Sequence, residues 1–205
     1  MDLWELLGKI APAAAVVLSG AMVLFERRGA LIITLSGLYG LTSALALSHL
    51  AFAAGIAKVL VGILVCGILI LAHVGGAQDT EPGKERGGIP QGRAFRLVAC
   101  LLVGGAGLGM GQTQAAFFAE IPLAIRQTSM YLLVFGLLGL GLFQETFRHG
   151  LGLLTMLIGF DLAYSMLEPS LAIAALMATV HLGIALALVY LEAMEEQRLG
   201  GETES

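Results

Sequence analysis

Seven long apolar runs constrain this chain more than any other feature of its sequence. The runs are Ile10–Phe25, Ala30–Leu50, Ala54–Val74, Leu97–Gln112, Thr128–Phe143, Gly150–Leu167 and Ser170–Leu191. Most approach the 17–25 residues with which a helix crosses about 30 Å of hydrocarbon, and none shows the period of two that barrel strands require. We therefore predict an all-α integral membrane protein with about seven transmembrane helices.

The low content of charged residues also indicates that the chain lies in a membrane. Only 13% of the 205 residues are charged, whereas soluble domains carry about 25%. So few polar residues could not cover a core made of the apolar runs, and the chain needs lipid around it. Because Glu26-Arg27-Arg28 follows the first run without a small-residue cleavage site, we expect this run to be retained as a span.

Short connections pair neighbouring spans into hairpins. Ala51-Phe52-Ala53 joins the second and third spans, and Glu168-Pro169 joins the sixth and seventh, so both pairs are predicted to be antiparallel. The one long polar segment is Gly75–Phe95. We divide the chain into a three-helix unit (1–75), a loop with a glycine-rich linking helix (76–127), a second three-helix unit (128–193) and a polar tail (194–205).

The two three-helix units resemble each other. In the first, a span ends at Leu24-Phe25 and the basic turn Arg27-Arg28-Gly29 follows. In the second, a span ends at Leu142-Phe143 and Arg148-His149-Gly150 follows. Three spans plus one linking span return the chain to its starting side, so the second unit runs in the same direction as the first. The pattern therefore favours a parallel 3+1+3 repeat. Chance similarity between apolar helices is the alternative.

The basic residues predict an orientation. With seven spans, eight of them fall on one side and three on the other. The first side carries Arg27, Arg28, Lys84, Arg86, Arg93, Arg96, Arg148 and Arg198, and the second carries Lys9, Lys58 and Arg126. Because Lys and Arg favour the cytoplasmic side, the N-terminus is expected outside and the C-terminus in the cytoplasm, in the inner (plasma) membrane.

Three of the ionisable residues within the apolar runs are candidates for an ion path. Asp161 lies about 10 Å inside its span from Glu168, and His181 lies about 18 Å from Pro169. A charge at such depth costs about 2.5–3.5 kcal/mol on insertion scales and usually faces protein or water. Asp161 and His181 are therefore ion-path candidates, with structural hydrogen bonding as the alternative. For Lys58, the third candidate, snorkelling to the interface is the simpler interpretation and an ion pair with Asp161 the alternative.

Glycines recur in the fourth span at Gly105, Gly107, Gly109 and Gly111. This small-xxx-small spacing lets helices approach closely and predicts a helix-packing face. A dinucleotide fingerprint is excluded, because Gln112 stands where the last glycine is needed and no strand precedes the motif.

Nothing in the sequence resembles a conventional active site. It contains no nucleophile–base set, metal cluster, phosphate loop or haem-ligand pair. Cys66 and Cys100 lie in apolar runs, where thiols act as small hydrophobes. We expect no catalysis by this chain alone, and neither a cofactor, a metal nor nucleic acid bound to it.

The segment from Thr128 to Leu191 resembles a family of small membrane subunits. The family includes the K subunit of respiratory complex I (NADH-quinone oxidoreductase subunit K), the C subunit of multisubunit cation/proton antiporters and hydrogenase-4 component E. Ile158-Gly159-Phe160-Asp161-Leu162 matches the family pattern Ile-Gly-x-Glu-Leu with Asp for Glu. His181 stands where the family has a second buried acid, and the length and seven spans are most similar to hydrogenase-4 component E.

The resemblance implies a membrane subunit of a complex-I-like or hydrogenase-like assembly that translocates protons or cations. Such subunits connect a redox or hydrogenase module to antiporter-like subunits, which would be the partners of this chain, and they hold no cofactor. Two alternatives stay open. One is a stand-alone small transporter built from two three-helix repeats, and the other is a purely structural membrane partner.

Overall fold

The computed structural model of the chain describes residues 3–49, 52–75, 93–112, 121–143 and 145–202. These residues form seven helices and no strand. The helices are α1 (Leu3–Leu24), α2 (Arg28–His49), α3 (Phe52–Gly75), α4 (Arg93–Gln112), α5 (Leu123–Leu142), α6 (Thr146–Leu167) and α7 (Leu171–Glu202). Six of them are long and apolar enough to cross a membrane, and α4 has the shorter apolar stretch Ala94–Gly109. The predicted all-α multi-pass fold is confirmed.

Local sequence explains where the helices stop. A proline lacks the backbone N–H and crowds the residue before it, so Pro169 holds Glu168 in a non-helical conformation (φ −136°, ψ 87°) and α6 ends at Leu167. At the end of α5, Phe143 is extended, and its N–H donates to the oxygen of Gly139. The predicted hairpin of α6 and α7 therefore has a defined local stop, and so does the end of α5.

Two helices extend beyond the boundaries expected from the sequence. α5 begins at Leu123, so the boundary at 128 falls inside a helix. The polar Arg126 and Gln127 resemble a loop in sequence but do not break a helix. α7 continues to Glu202, so the polar tail is helical as far as it is described. The reason is composition, because Glu, Ala, Met, Gln, Arg and Leu are good helix formers.

The six longest spans form two layers of three helices. α1, α2 and α3 make one layer, α5, α6 and α7 make the other, and each helix packs on its counterpart: α1 on α5, α2 on α6 and α3 on α7. The counterparts are parallel. A Cβ built at Gly8 would lie 3.8 Å from Cβ of Ala124 at the start of α5, while Val23 shares an apolar cluster with Leu142 at its end.

α4 returns the chain from one face of the bundle to the other. Arg96 lies 5.6 Å from the Phe143 ring at the end of α5, and a Cβ at Gly107 would lie 2.7 Å from Cδ1 of Tyr131, three turns back along α5. α4 is therefore antiparallel to α5, and its 20 residues cover about 30 Å. It packs against α5 and α1, at the edge of the two layers.

The closest helix contact is between α5 and α6. A Cβ at Gly136 would lie 2.6 Å from Cα of Met156, and a Cβ at Gly159 would lie 2.8 Å from the backbone oxygen of Ser129. A Cβ at Gly139 would lie 3.3 Å from Cα of Gly152. Real Cβ atoms essentially never approach as closely as at Gly136 and Gly159, so glycine is required there, while Gly139 is only tightly packed.

Arginines gather at one end of the bundle, which we call the basic end. Arg28 forms an ion pair with Glu192 of α7, and Arg96 Nη1 lies 3.3 Å from Glu26 Oε1. Arg148 joins them there, with Nη2 3.0 Å from the oxygen of Phe25. Two other residues that were assigned to this side, Lys84 and Arg86, lie outside the described residues.

Candidate functional site

Four ionisable or hydrogen-bonding side chains meet inside the bundle, one from each of four helices. They are Tyr39 of α2, Lys58 of α3, Asp161 of α6 and His181 of α7, and we call them the polar cluster. All four line one cavity. Because α2 and α3 belong to one layer and α6 and α7 to the other, the cluster lies at the seam between the two layers.

Lys58 and Asp161 form an ion pair across this seam. Lys58 Nζ donates to Asp161 Oδ2 and lies 3.4 Å from the backbone oxygen of the same residue. The side chains are only 11% and 17% exposed. The snorkelled Lys58 favoured by the sequence is therefore wrong, since the lysine points into the bundle and binds the carboxylate that lies at its depth.

His181 is fixed beside this pair. It is 2% exposed, and Nδ1 lies 2.8 Å from the oxygen of Met177, one turn earlier on α7. A carbonyl oxygen only accepts, so Nδ1 carries the proton and Nε2 is the acceptor in the neutral ring. The His181 ring packs edge-on against Tyr39, with 5.9 Å between centroids. No hydrogen bond joins His181 directly to Asp161 within the described residues.

The hydroxyl of Tyr39 is buried and has no hydrogen-bond partner among the described residues. Leaving such a group unsatisfied costs about 1–3 kcal/mol. A water in the cavity could satisfy this hydroxyl, because the cavity has room for about one water molecule and polar groups around it. Thr42 and Ser43 of α2 add hydroxyls to its lining. A water held there would bridge members of the polar cluster that do not touch one another.

Sequence reasoning identified Lys58, Asp161 and His181 but missed Tyr39. Tyrosine is common in membrane helices at the interfaces, so its presence in the second span carried no distinct signal. Its position in the middle of α2, away from both ends, is the feature that could have drawn attention to it.

The glycines of α4 fall on different sides of the helix. Gly107 lies against the Tyr131 ring of α5, whereas a Cβ at Gly105 or Gly109 would meet no atom within 4 Å. The surroundings of Gly111 lie outside what the structure describes. The tightest backbone contacts are instead those of α5 with α6.

The fold and the polar cluster define the class of this chain: a multi-pass helical membrane protein with a buried ion pair at the seam of two three-helix layers. No protein-family model, no curated protein and no solved structure matches the sequence or the fold.

Proposed function

We propose that this chain moves protons across the membrane as a subunit of a complex-I-like or hydrogenase-like assembly. The observation that carries the proposal is the Lys58–Asp161 pair, buried with His181 and Tyr39 around a water-sized cavity. Ionisable groups are expensive inside a membrane, and ion paths and proton relays are among the functions that they mark.

The cluster has the chemistry for handing on a proton. The ammonium of Lys58 offsets the charge of the Asp161 carboxylate, so the pair adds no net charge to the interior. A proton that reaches Asp161 makes the pair net positive, and the acceptor nitrogen of His181 can take this proton through one water. The Tyr39 hydroxyl can hold that water by one further hydrogen bond.

The surface of the bundle is compatible with membership of a larger assembly. α3, α4 and α7 each expose several large apolar side chains, among them Leu71, Leu101 and Leu186. Such surface contacts lipid or neighbouring membrane subunits, and the family resemblance favours antiporter-like ones. A stand-alone transporter is the second candidate. It is favoured by the position of the cluster at the seam of two stacked units, where movement of one unit would change access to it.

Replacement of Asp161 by asparagine is expected to abolish most proton translocation by the protein that still assembles. Asparagine keeps the size and hydrogen-bonding capacity of the side chain but cannot bind and release a proton in this range. The measurement is proton pumping by vesicles that contain the intact assembly, with subunit content determined in the same sample. His181→Ala is expected to have a smaller effect, because a water can replace part of the ring.

The matched control is Glu168→Gln, which removes a carboxylate from an exposed position just after the same helix. It should pump as the unaltered protein does. Full pumping by an assembled Asp161→Asn variant would reduce Asp161 to a structural residue.

We further propose that the basic end faces the cytoplasm, with the N-terminus outside. The proposal is supported by Arg28, Arg96 and Arg148 at one end and by the bias of Lys and Arg toward the cytoplasmic side. Cysteines placed at Gln78 and Ser205, which both lie outside the described residues, are expected to react with an impermeant thiol reagent only after the membrane is opened. Reaction of both in sealed cells would reverse the orientation.

A further inference from the structure

We propose that a second cavity, near the basic end, is a water compartment that continues the proton route from the polar cluster to that face. The assignment of this cavity to a proton route rests on the proposed function. The cavity lies between α1, α2, α5 and α6 and has room for about one water molecule. Its polar lining consists of Ser19, Arg148 and Thr155, and Met22 and Phe143 are among its apolar residues.

The hydroxyls of this second cavity are arranged to bind water. Ser19 Oγ donates to the oxygen of Ala15, and Thr155 Oγ1 donates to the oxygen of Leu151 at 2.8 Å. Each can donate its hydrogen to its own helix, which leaves lone pairs of its oxygen to accept from a water, and Thr155 Oγ1 also lies 3.3 Å from Sδ of Met22. Two acceptors that face one small cavity supply the polar partners that a buried water needs.

Arg148 forms the end of the compartment toward the basic face. Its Nη2 lies 3.0 Å from the oxygen of Phe25 and 3.4 Å from that of Val23, at the carbonyl end of α1, and the guanidinium lies 3.7 Å from the Phe143 ring centroid. The helix end and the ring face offset its charge. Among the described residues the lining holds no carboxylate, the usual protein ligand of a hard metal cation, so the compartment suits water rather than a metal ion.

An apolar layer separates the two cavities. On α6, Thr155 belongs to the second cavity and Ile158 to the first, about 4.5 Å apart along the helix. On α2, Leu35 lies between the residues of the two cavities and is fully buried. Such a layer blocks water while it is dry and lets it through when the packing opens. Two water-sized cavities thus lie on either side of a closed apolar layer.

The test uses hydroxyl-radical footprinting, which oxidises side chains that touch water. In the full chain, held in its assembly in nanodiscs, Met22 is expected to form sulfoxide several-fold faster than Met156. Met22 is buried and lines the second cavity, whereas Met156 is half-buried, lies at the same depth on α6 and packs against Gly136. Oxidation of Met22 as slow as that of Met156 would overturn the proposal, whatever Asp161→Asn does to pumping.

A paired variant tests whether this water belongs to the route. Ser19→Ala combined with Thr155→Val removes both hydroxyls at nearly constant volume. It should slow Met22 oxidation and lower the proton flux several-fold, while Thr155→Ser, which keeps its hydroxyl, should change neither. Unchanged flux in the double variant would exclude the cavity from the route. Retained pumping in Asp161→Asn would instead refute the proposed function. Faster oxidation of Met22 than of Met156 would still support a water-filled cavity.

Discussion

Replacing Lys58 by methionine is expected to destabilise the folded bundle by about 3–5 kcal/mol, the usual cost of removing one partner of a buried ion pair. The remaining Asp161 carboxylate would stay at the seam of the two layers without its counter-charge. The double variant Lys58→Met, Asp161→Leu fills the same space with apolar groups and should recover most of this loss. Equilibrium unfolding by a denaturing detergent in mixed micelles measures the free energy of unfolding of the unaltered protein, of Lys58→Met and of the double variant.

The matched control breaks another ion pair between the layers. Arg28 binds Glu192 at the basic end, where its side chain is 37% exposed, so Arg28→Met should cost about 1 kcal/mol or less. If Lys58→Met costs no more than this control, the buried pair does not stabilise the fold. The double variant also separates stability from function, because a stable bundle without Asp161 is expected to pump no protons.

Gly136→Ala is expected to cost about 3 kcal/mol or more, at the upper end of what overpacking usually costs. The added methyl would lie 2.6 Å from Cα and 2.7 Å from Cβ of Met156, so α5 and α6 would have to separate along their closest contact. Because the obstructing atoms include backbone, no side-chain rotation relieves the clash. The same detergent-unfolding measurement detects the loss.

Gly141 provides the control on the same helix. A Cβ there meets no atom within 4 Å, so Gly141→Ala should be neutral or stabilise the helix by about 1 kcal/mol. Gly107→Ala should fall between the two, because the atoms it meets belong to the Tyr131 ring, which can shift. Equal free energies of unfolding for Gly136→Ala and Gly141→Ala would contradict a required backbone contact at Gly136.

The number and type of the helices could be read from the sequence, because the requirement for about 20 apolar residues is a one-dimensional property. The same holds for Asp161 and His181, whose cost inside a membrane is visible without a structure. The partner of Asp161 could not be fixed in the same way. Lys58 lies 103 residues away along the chain. A lysine that snorkels and a lysine that pairs with Asp161 look alike in the sequence, and only the packing of the helices distinguishes them.

Close helix contacts were harder to predict than the spans. Four glycines in α4 form a regular stripe, yet only some of them face another helix. The glycines of α5 and α6 that do touch, Gly136, Gly139, Gly152 and Gly159, are spread over two runs and form no compact motif. Small residues permit close approach, but which faces meet depends on the arrangement of all helices, which a pattern within one helix does not contain.

The ion pair between Lys58 and Asp161 also has a consequence for biosynthesis. Lys58 leaves the ribosome 103 residues before its partner. At the usual 5–20 residues per second, the lysine waits roughly 5–20 s in the membrane before Asp161 is even made. During that interval its long side chain can reach the nearby headgroups, which is the snorkelled state that the folded bundle lacks. The arrival of the aspartate then draws the lysine inward, so the last three helices complete the burial of a charge that the first three could only hold at the surface.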